Sequence, residues 1–384
     1  MEYIYPDYYH KFQCAADRCP DTCCAGWQIS IDRLTMKKYL HGKGAFGNRL
    51  KNSVNVEESC FYHYDGKCVL LNEKNLCDIC LEVGEEHLCK ACADYPRHTE
   101  EYENARELSL SLSCPEAAKM ILGRKEPVRI VSVIKGKKEE KYQGFDLQLY
   151  AWLKEMRRLF LDIIQRRELS MANRMALVTA MAHDFQRKIS KERYDDLGKL
   201  AACFGKPAFA HDALHRFDKY RSREEYRYHL IQEMLMCLHE FEILNEEWNA
   251  GLWSDEWTLY GTMTRKDYIL ERKEFLHDYR EWEIQKEQLL VYFVFVYFCG
   301  GIYDGRIYTK VKTCMVHILL IEELLFAEWL KGERSFDLDA QVEVVHRYAR
   351  TAEHSDWNLE HMENLVKMRR VFSLEKLLIA VLNG

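Results

Sequence analysis

Apolar residues recur every three or four positions through most of the chain beyond residue 145. Leu149, Leu153, Met156, Phe160 and Ile163 form the first such series. This period is typical of amphipathic α-helices. It predicts helices over 149–163, 177–189, 222–241, 265–298, 311–331, 338–352, 357–370 and 373–382. The third of these begins with the spacing of a capping box, at 222–225.

One helical stretch, 289–299, is continuously apolar. It is too short to cross a bilayer, and Gly300 and Gly301 end it. We therefore predict a fully buried core helix there, while peripheral membrane contact stays open.

The first third of the chain lacks this long helical period. Five of the six prolines lie at or before Pro127, and we expect loops with short helices over 30–39 and 115–122. The glycines of 42–47 match G-x-G-x-x-G, but no strand precedes them, so we interpret them as a flexible turn. A β-prone run over 128–134 predicts one strand or a hairpin.

These patterns predict a mainly α protein. We expect a cysteine-rich metal-binding domain over 1–122 with short helices and loops, a linker with a short β segment over 123–144, and an all-α domain over 145–384. With 384 residues, 48% of them hydrophobic, the chain is long enough for two domains with a substantial core.

The formal net charge of −6 argues against nucleic acid as a partner, since phosphate binding requires a basic face. Basic pairs do occur at 157–158, 166–167 and 369–370, and we interpret them as solvated helix faces.

Eleven of the fifteen cysteines lie within 14–114; the others are Cys203, Cys237, Cys299 and Cys314. The N-terminal sequence has neither the basic nor the apolar region of a secretory signal, which predicts a cytoplasmic protein. Disulfides are uncommon in a reducing cytosol, so the density of thiols favours a metal.

Spacing alone leaves the kind of metal open. Cys77–Cys80 and Cys89–Cys92 are two C-x2-C pairs, compatible with a structural zinc site of four thiolates. Cys23 and Cys24 are adjacent and cannot easily both reach one tetrahedral ion, which suits an iron–sulfur cluster or a second centre.

Several blocks resemble the flagellin lysine N-methylase family, within the wider group of cysteine-rich zinc- or iron-chelating proteins. The opening block runs from Phe12 through CPDTCCAGW at 19–27 to Asp32. Later blocks are GKCVLL at 66–71, CADYPR at 92–97, LSLSCPEAA at 110–118, LVYF at 290–293 and YDG at 303–305.

The resemblance implies transfer of a methyl group from S-adenosylmethionine to lysines of flagellin, with a [4Fe–4S] cluster on the cysteine motif. The matching ligand positions are Cys14, Cys19, Cys23, Cys24, Cys68, Cys77, Cys92 and Cys114. Cys60, Cys80 and Cys89 are extra here. Eight or more thiols exceed the need of one cluster, so a second metal such as zinc could take the surplus.

Methyl transfer requires a positioned, neutral lysine amine and a group that takes its proton. As catalytic candidates we single out Asp94, Tyr95 and Asp304. As cofactor-binding candidates we single out Trp27, Arg97, Tyr292 and Tyr297, since aromatic rings attract a sulfonium and Arg97 could pair with a carboxylate. For each of these residues, packing is the alternative role.

The chain lacks the C-x3-C-x2-C signature of the usual radical S-adenosylmethionine enzymes, and the sequence does not decide between radical and polar transfer. Two alternatives to an enzyme remain: a zinc-stabilised scaffold that binds a protein, and a metallochaperone or redox protein. Formation of a homo-oligomer is also left open.

Overall fold

The computed structural model describes residues 1–136, 140–191, 193–204 and 206–384. Residues 137–139, in the predicted linker, lie outside this description. The helices are α1 Arg33–Leu40, α2 Gly44–Asn52, α3 Asp78–Glu82, α4 Lys90–Asp94, α5 Pro115–Leu122, α6 Leu147–Ile164, α7 Met171–Ile189, α8 Asp195–Phe204, α9 Pro207–Phe217, α10 Glu224–Leu235, α11 Glu246–Glu256, α12 Arg265–Asp278, α13 Trp282–Tyr297, α14 Gly301–Asp304, α15 Ile307–Lys331, α16 Leu338–Glu353, α17 Asp356–Met368 and α18 Leu374–Leu382. The predicted mainly α fold is confirmed.

Among the residues that the structure describes, the strands are short and lie within the first 134 positions. They are β1 Glu2–Pro6, β2 Val54–Asn55, β3 Cys60–Phe61, β4 His63–Tyr64, β5 Lys67–Cys68, β6 Arg97–Tyr102, β7 Ala105–Leu110 and β8 Ile130–Ile134. Four of them form a sheet of order β6-β7-β1-β8, in which β1 is parallel to β7 and antiparallel to β8. The β-prone run therefore forms a single strand, whereas β1, β6 and β7 are not predicted from the sequence.

The core of the helical region is α15, in which every residue from 311 to 327 is buried. Helix α13 packs beside it, and its residues 285–295 are buried as well. The predicted buried helix at 289–299 is therefore confirmed. No helix in the described part of the chain combines the length and apolarity that crossing a bilayer requires.

One buried carboxylate of this core, that of Glu322, is paired with several cations. Glu322 accepts hydrogen bonds from Arg227 at 3.1 Å and from the Trp282 indole at 2.7 Å, and Lys286 lies 2.5 Å away. Burial of an unpaired carboxylate would cost several kcal/mol, so this group of cations fixes the relative positions of α10, α13 and α15.

Four local predictions are wrong. The run 265–298 is interrupted between α12 and α13. The capping box at 222–225 is absent, because Ser222 adopts a φ of 55° and Arg223 is the N-cap. The glycines of 42–47 are only partly a turn, since Gly44 begins α2. Arg157 is buried and donates a hydrogen bond to the Glu107 carboxylate, so it is not part of a solvated face.

The hydrophobic residues form two clusters. The larger one joins the four-stranded sheet, α5 and the helical region. The smaller one contains Ile29, Met36, Phe61 and Leu70, together with Cys24, Cys68, Cys77, Cys89 and Cys92. Cys114 belongs to the larger cluster, and the predicted domain limits stay a prediction.

Candidate functional site

The first cysteines lie on an irregular loop between β1 and α1. A single 3-10 turn, Ala16–Arg18, separates Cys14 from Cys19. The Ala16 amide donates to Cys14 Sγ at 3.4 Å, and Cys19 Sγ donates to the Asp21 carbonyl oxygen at 3.3 Å. The loop is therefore shaped by its own thiols and backbone.

Arg350, near the end of α16, joins this loop to the segment before α5. Its guanidinium lies 2.7 Å from an Asp21 carboxylate oxygen and donates to the carbonyl oxygens of Asp21 and Thr22, each at 3.2 Å. Its Nε donates to the Ser113 carbonyl oxygen at 3.3 Å. Because Thr22 precedes Cys23 and Ser113 precedes Cys114, one side chain brings these two cysteines together.

Further cysteines are gathered on the other side of the Cys23–Cys24 pair. The Cys68 amide donates to the Cys24 carbonyl oxygen at 2.8 Å. A β-bridge pairs Leu71 with Cys77, at the start of α3, and Cys92 in α4 packs on the same small core. One hairpin and two one-turn helices thus carry thiols onto the same small core.

Burial and mutual repulsion govern these thiols. Burial raises the pKa of Cys68 to about 12 and that of Cys114 to about 11. A hydrogen bond from Cys23 lowers the pKa of Cys24 to about 7, while it raises that of Cys23. The main charges acting on Cys23 are those of other cysteines, so a positively charged metal is needed to hold several of them as thiolates.

The thiols do not converge on one point. Among the residues that the structure describes, no three His, Cys, Asp or Glu side chains are close enough together to hold a metal ion directly. A single tetrahedral zinc requires thiolate sulfurs about 3.8 Å apart, given a Zn–S distance of about 2.3 Å.

An aromatic cluster lies against the cysteine loop. The ring of His354 stacks on Trp27 with centroids 4.1 Å apart, and Tyr95 meets Trp27 edge-on at 5.1 Å. The Tyr95 hydroxyl and His354 Nε2 both hydrogen-bond to the Ser113 hydroxyl. Burial, helped by the charge of Arg350, lowers the pKa of His354 to about 4, so its ring is neutral at pH 7.

A carboxyl group adjoins this cluster. Glu353, the last residue of α16, accepts hydrogen bonds from the hydroxyls of Tyr292 at 2.7 Å and Tyr297 at 2.5 Å. The Leu112 amide donates to the Tyr292 hydroxyl at 3.4 Å. Burial raises the pKa of Glu353 to about 7, and its Oε1 is buried without a hydrogen-bond partner among the described residues.

The structure therefore brings together four of the seven predicted catalytic and cofactor-binding residues. Trp27 and Tyr95 lie in the aromatic cluster, and Tyr292 and Tyr297 hold Glu353. The other three lie apart from this cluster. Arg97 lies over the Phe12 ring at 5.2 Å, Asp94 is exposed at the end of α4, and Asp304 pairs with Lys310 at 3.2 Å.

A groove of about 440 Å³ opens on the outer side of Trp27. Cys60 faces it, and Gln28 donates to Cys60 Sγ at 2.9 Å and to Glu58 Oε2 at 2.8 Å. Leu244, from the loop before α11, completes the lining. Cys60 is thereby engaged with polar side chains.

Comparison with known proteins gives these observations a context. Residues 157–380, more than half of the chain, match the FliB lysine N-methylase C-terminal domain. The chain belongs to the FliB lysine N-methylase family. The family resemblance stated from the sequence is confirmed.

Individual relatives match over a shorter stretch. The flagellar biosynthetic protein FliU of Salmonella muenchen is 34% identical over 126 residues, which are 30% of this chain and 75% of that protein. The lysine-N-methylases of Salmonella typhimurium LT2 and Salmonella choleraesuis SC-B67 are each 33% identical over 126 residues, 30% of this chain and 31% of those proteins. The match thus spans about a third of each lysine-N-methylase, and no solved structure matches.

Three residues of the site, all on or just after α16, are not predicted from the sequence. Arg350, Glu353 and His354 fall within the stretch that matches the FliB domain. The sequence feature that indicates these residues is their position at the end of a strongly amphipathic helix, with His346 one turn before Arg350. Polar residues at such positions are usually solvated, and only the docking of α16 on the cysteine loop distinguishes them.

Proposed function

We propose that this FliB-family protein is an S-adenosylmethionine-dependent protein-lysine N-methyltransferase that acts on flagellin and needs a [4Fe–4S] cluster held by its N-terminal cysteines. The observation that carries the proposal is the contact between α16 of the family domain and the cysteine loop. Through Arg350, Glu353 and His354, one helix joins a thiol-rich site to an aromatic and carboxyl cluster.

The thiols fit an iron–sulfur cluster better than a single ion. In a cluster each thiolate binds a different iron, so four thiols can surround the site without converging on one point. Cys14, Cys19, Cys23 and Cys114 would hold it, at the junction that Arg350 organises. With each iron held by a thiolate, the bound cluster would supply a structural or redox centre beside the aromatic cluster.

The aromatic cluster suits a positively charged ligand. S-adenosylmethionine, when bound, supplies a methyl group on a sulfonium. Trp27 and Tyr95 present ring faces and edges, and the neutral ring of His354 adds no repelling charge. Arg350, although close to Trp27, has its charge compensated by the carboxylate of Asp21.

Glu353 is the group best suited to take the proton of the lysine ammonium. Its raised pKa of about 7 is near working pH, where a general base is most effective. Tyr292 and Tyr297 fix one carboxylate oxygen by hydrogen bonds and leave Oε1 as the free acceptor. The two tyrosines thus position the base and take no part in the transfer themselves.

Anaerobically purified protein, incubated with flagellin and methyl-labelled S-adenosylmethionine, tests the proposal. We expect label on flagellin lysines, found by peptide mass spectrometry, and a loss of transfer in Cys23→Ser, with Cys203→Ser as the matched control. Iron-loaded protein that binds flagellin but transfers no methyl group would leave a non-enzymatic protein-binding scaffold as the function.

A further inference from the structure

The groove beside Trp27 is lined by two distant parts of the chain. Residues within 26–28 and 55–66 contribute most of the lining, and Leu244, from the loop before α11, contributes the rest. Trp27 also belongs to the aromatic cluster, where its ring stacks on His354. The groove is therefore continuous with the place at which we propose that methyl transfer occurs.

Large apolar side chains are exposed at this groove and next to it. Tyr62 and Leu244 line the groove and are both exposed. Val56 and Ile243, which adjoin lining residues in the sequence, are more than half exposed. Single exposed apolar residues are common, but a group of them around one groove indicates a surface that another molecule covers.

An acidic side chain is held in the same groove. Gln28 Nε2 donates to Glu58 Oε2 at 2.8 Å, and the Glu58 amide donates to the side-chain oxygen of Asn55 at 3.2 Å. The carboxylate and the backbone of this exposed residue are thus both fixed. Among the described residues that line the groove, Glu58 is acidic and none is lysine or arginine. The groove therefore favours a positively charged ligand.

A lysine side chain within a polypeptide combines the features that this groove can contact. Its four-carbon stem packs on apolar and aromatic surfaces, and its ammonium pairs with a carboxylate. The rings of Trp27 and Tyr62 attract the same ammonium. A small cation alone would leave the exposed apolar side chains uncovered, whereas the residues that flank a lysine in a protein can cover them.

We propose that this groove binds a lysine-bearing segment of the protein substrate, with a lysine ammonium at Glu58 and neighbouring apolar side chains on Tyr62 and Leu244. A segment bound in this way carries its lysines beside Trp27. The inference rests on the proposed function for the identity of the substrate, flagellin, and adds the surface that recognises it. Glu58 acts in binding, whereas Glu353 takes the proton.

Binding of purified flagellin to the full-length protein, prepared without oxygen, tests the groove by calorimetric titration. We expect Glu58→Gln to raise the dissociation constant about threefold, as for an exposed ion pair. Glu58→Lys, which opposes like charges, should raise it about tenfold. Leu244→Asp should also raise it about tenfold, because it places a charge in the apolar contact. Glu73→Gln and Leu34→Asp, at exposed positions outside the groove, are the matched controls.

Acetylated flagellin tests the lysine contact itself, because acetylation removes the charge of each modified lysine. The wild-type protein should bind it more weakly than unmodified flagellin, and Glu58→Gln should cause no further loss. The effect of Glu58→Gln on unmodified flagellin should also shrink as the salt concentration rises. An equal effect of Glu58→Gln on acetylated and unmodified flagellin would overturn the pairing of Glu58 with lysine.

Three further results would overturn the inference in variants whose helices are retained by circular dichroism. Wild-type flagellin affinity in both Glu58→Lys and Leu244→Asp would show that flagellin binds elsewhere. A loss of S-adenosylmethionine affinity in these variants, with flagellin binding unchanged, would make the groove a cofactor site. Sedimentation of the wild type as a dimer and of Leu244→Asp as a monomer would make it a contact between two copies of this chain.

Failure of this inference and failure of the proposed function give different results. Methyl transfer with unchanged flagellin affinity in the groove variants defeats only the inference. Flagellin binding that the groove variants weaken, in a protein that transfers no methyl group, defeats the proposed activity and supports the groove as the binding surface.

Discussion

Arg350 and Asp21 form an ion pair of 2.7 Å although 329 positions separate them along the chain. The guanidinium is largely buried. Its N–H groups also donate to the backbone carbonyl oxygens of Asp21, in the cysteine loop, and of Ser113, in the segment before α5. The planar guanidinium binds several acceptors at once. It therefore holds the segments that it contacts in fixed positions, in addition to pairing with the charge of Asp21. The pair therefore couples the family domain to the thiols of the proposed cluster.

Replacement of Arg350 is expected to loosen the proposed cluster site. Arg350→Met should speed the loss of iron to a chelator roughly tenfold. The rate for Arg350→Lys should lie between those of Arg350→Met and the wild type, since lysine keeps the positive charge but lacks the planar set of N–H donors. Chelator-dependent bleaching, followed anaerobically, measures this. Arg347→Met, on the same helix, is the control. Equal rates in all four proteins would mean that Arg350 does not support the site.

Glu353→Gln is expected to lower the methylation rate about 100-fold or more, the usual contribution of a general base. In the wild-type protein the rate should rise as pH increases through about 7, because only the ionised carboxylate accepts a proton. The variant should lose this rise. Rates measured from pH 5.5 to 8.5 test both points, and Glu360→Gln, an exposed carboxylate on α17, is the control. An unchanged profile in Glu353→Gln would exclude the assigned role.

Trp27→Ala should weaken S-adenosylmethionine binding about tenfold, in line with loss of a partly buried cation–π contact. Trp27→Phe should retain part of the affinity. Calorimetric titration of metal-loaded protein gives the dissociation constants. The control is Trp253→Ala, which removes an exposed indole that stacks on His239 at 4.1 Å in the helical region. Identical affinities for the wild type and Trp27→Ala would remove Trp27 from the binding site.

His354 should make stability depend on pH. Its pKa is lowered to about 4 in the folded chain, against about 6.5 when unfolded, so the unfolded state binds the additional proton between these values. The free energy of unfolding should therefore fall as pH decreases from about 6.5 to about 4. His354→Phe should show a weaker decrease over that window in thermal melts. A parallel pH dependence in both proteins would contradict the lowered pKa.

Glu322→Ala should destabilise the helical region by about 3–5 kcal/mol, because it leaves the cations around it buried without a partner. The change in the urea midpoint, followed by circular dichroism, measures this. Glu333→Ala, an exposed position after α15, should be within about 0.5 kcal/mol of the wild type. A small effect of Glu322→Ala would show that the buried network contributes little.

The sequence predicts the helical region well because its apolar period is local information. The buried helix at 289–299 and the long helix ending at Lys331 follow directly from that period. The break between α12 and α13 does not, since neither glycine nor proline marks it. The four-stranded sheet also cannot be predicted from local patterns, because β1 pairs with β7 across about a hundred residues and both strands are short.

For the candidate site, the sequence identifies residue types but not their grouping. Trp27, Tyr95, Tyr292 and Tyr297 were predicted from their positions near the cysteines and the buried helix. That Tyr292 and Tyr297 face Glu353 depends on the packing of α13 against α16, which no local pattern encodes.

The most direct test of the proposed function is the amount of acid-labile sulfide in protein purified without oxygen. We predict at least about four iron and four sulfide per chain, the content of one cubane cluster. Stoichiometric zinc in folded protein that contains no inorganic sulfide would contradict the account.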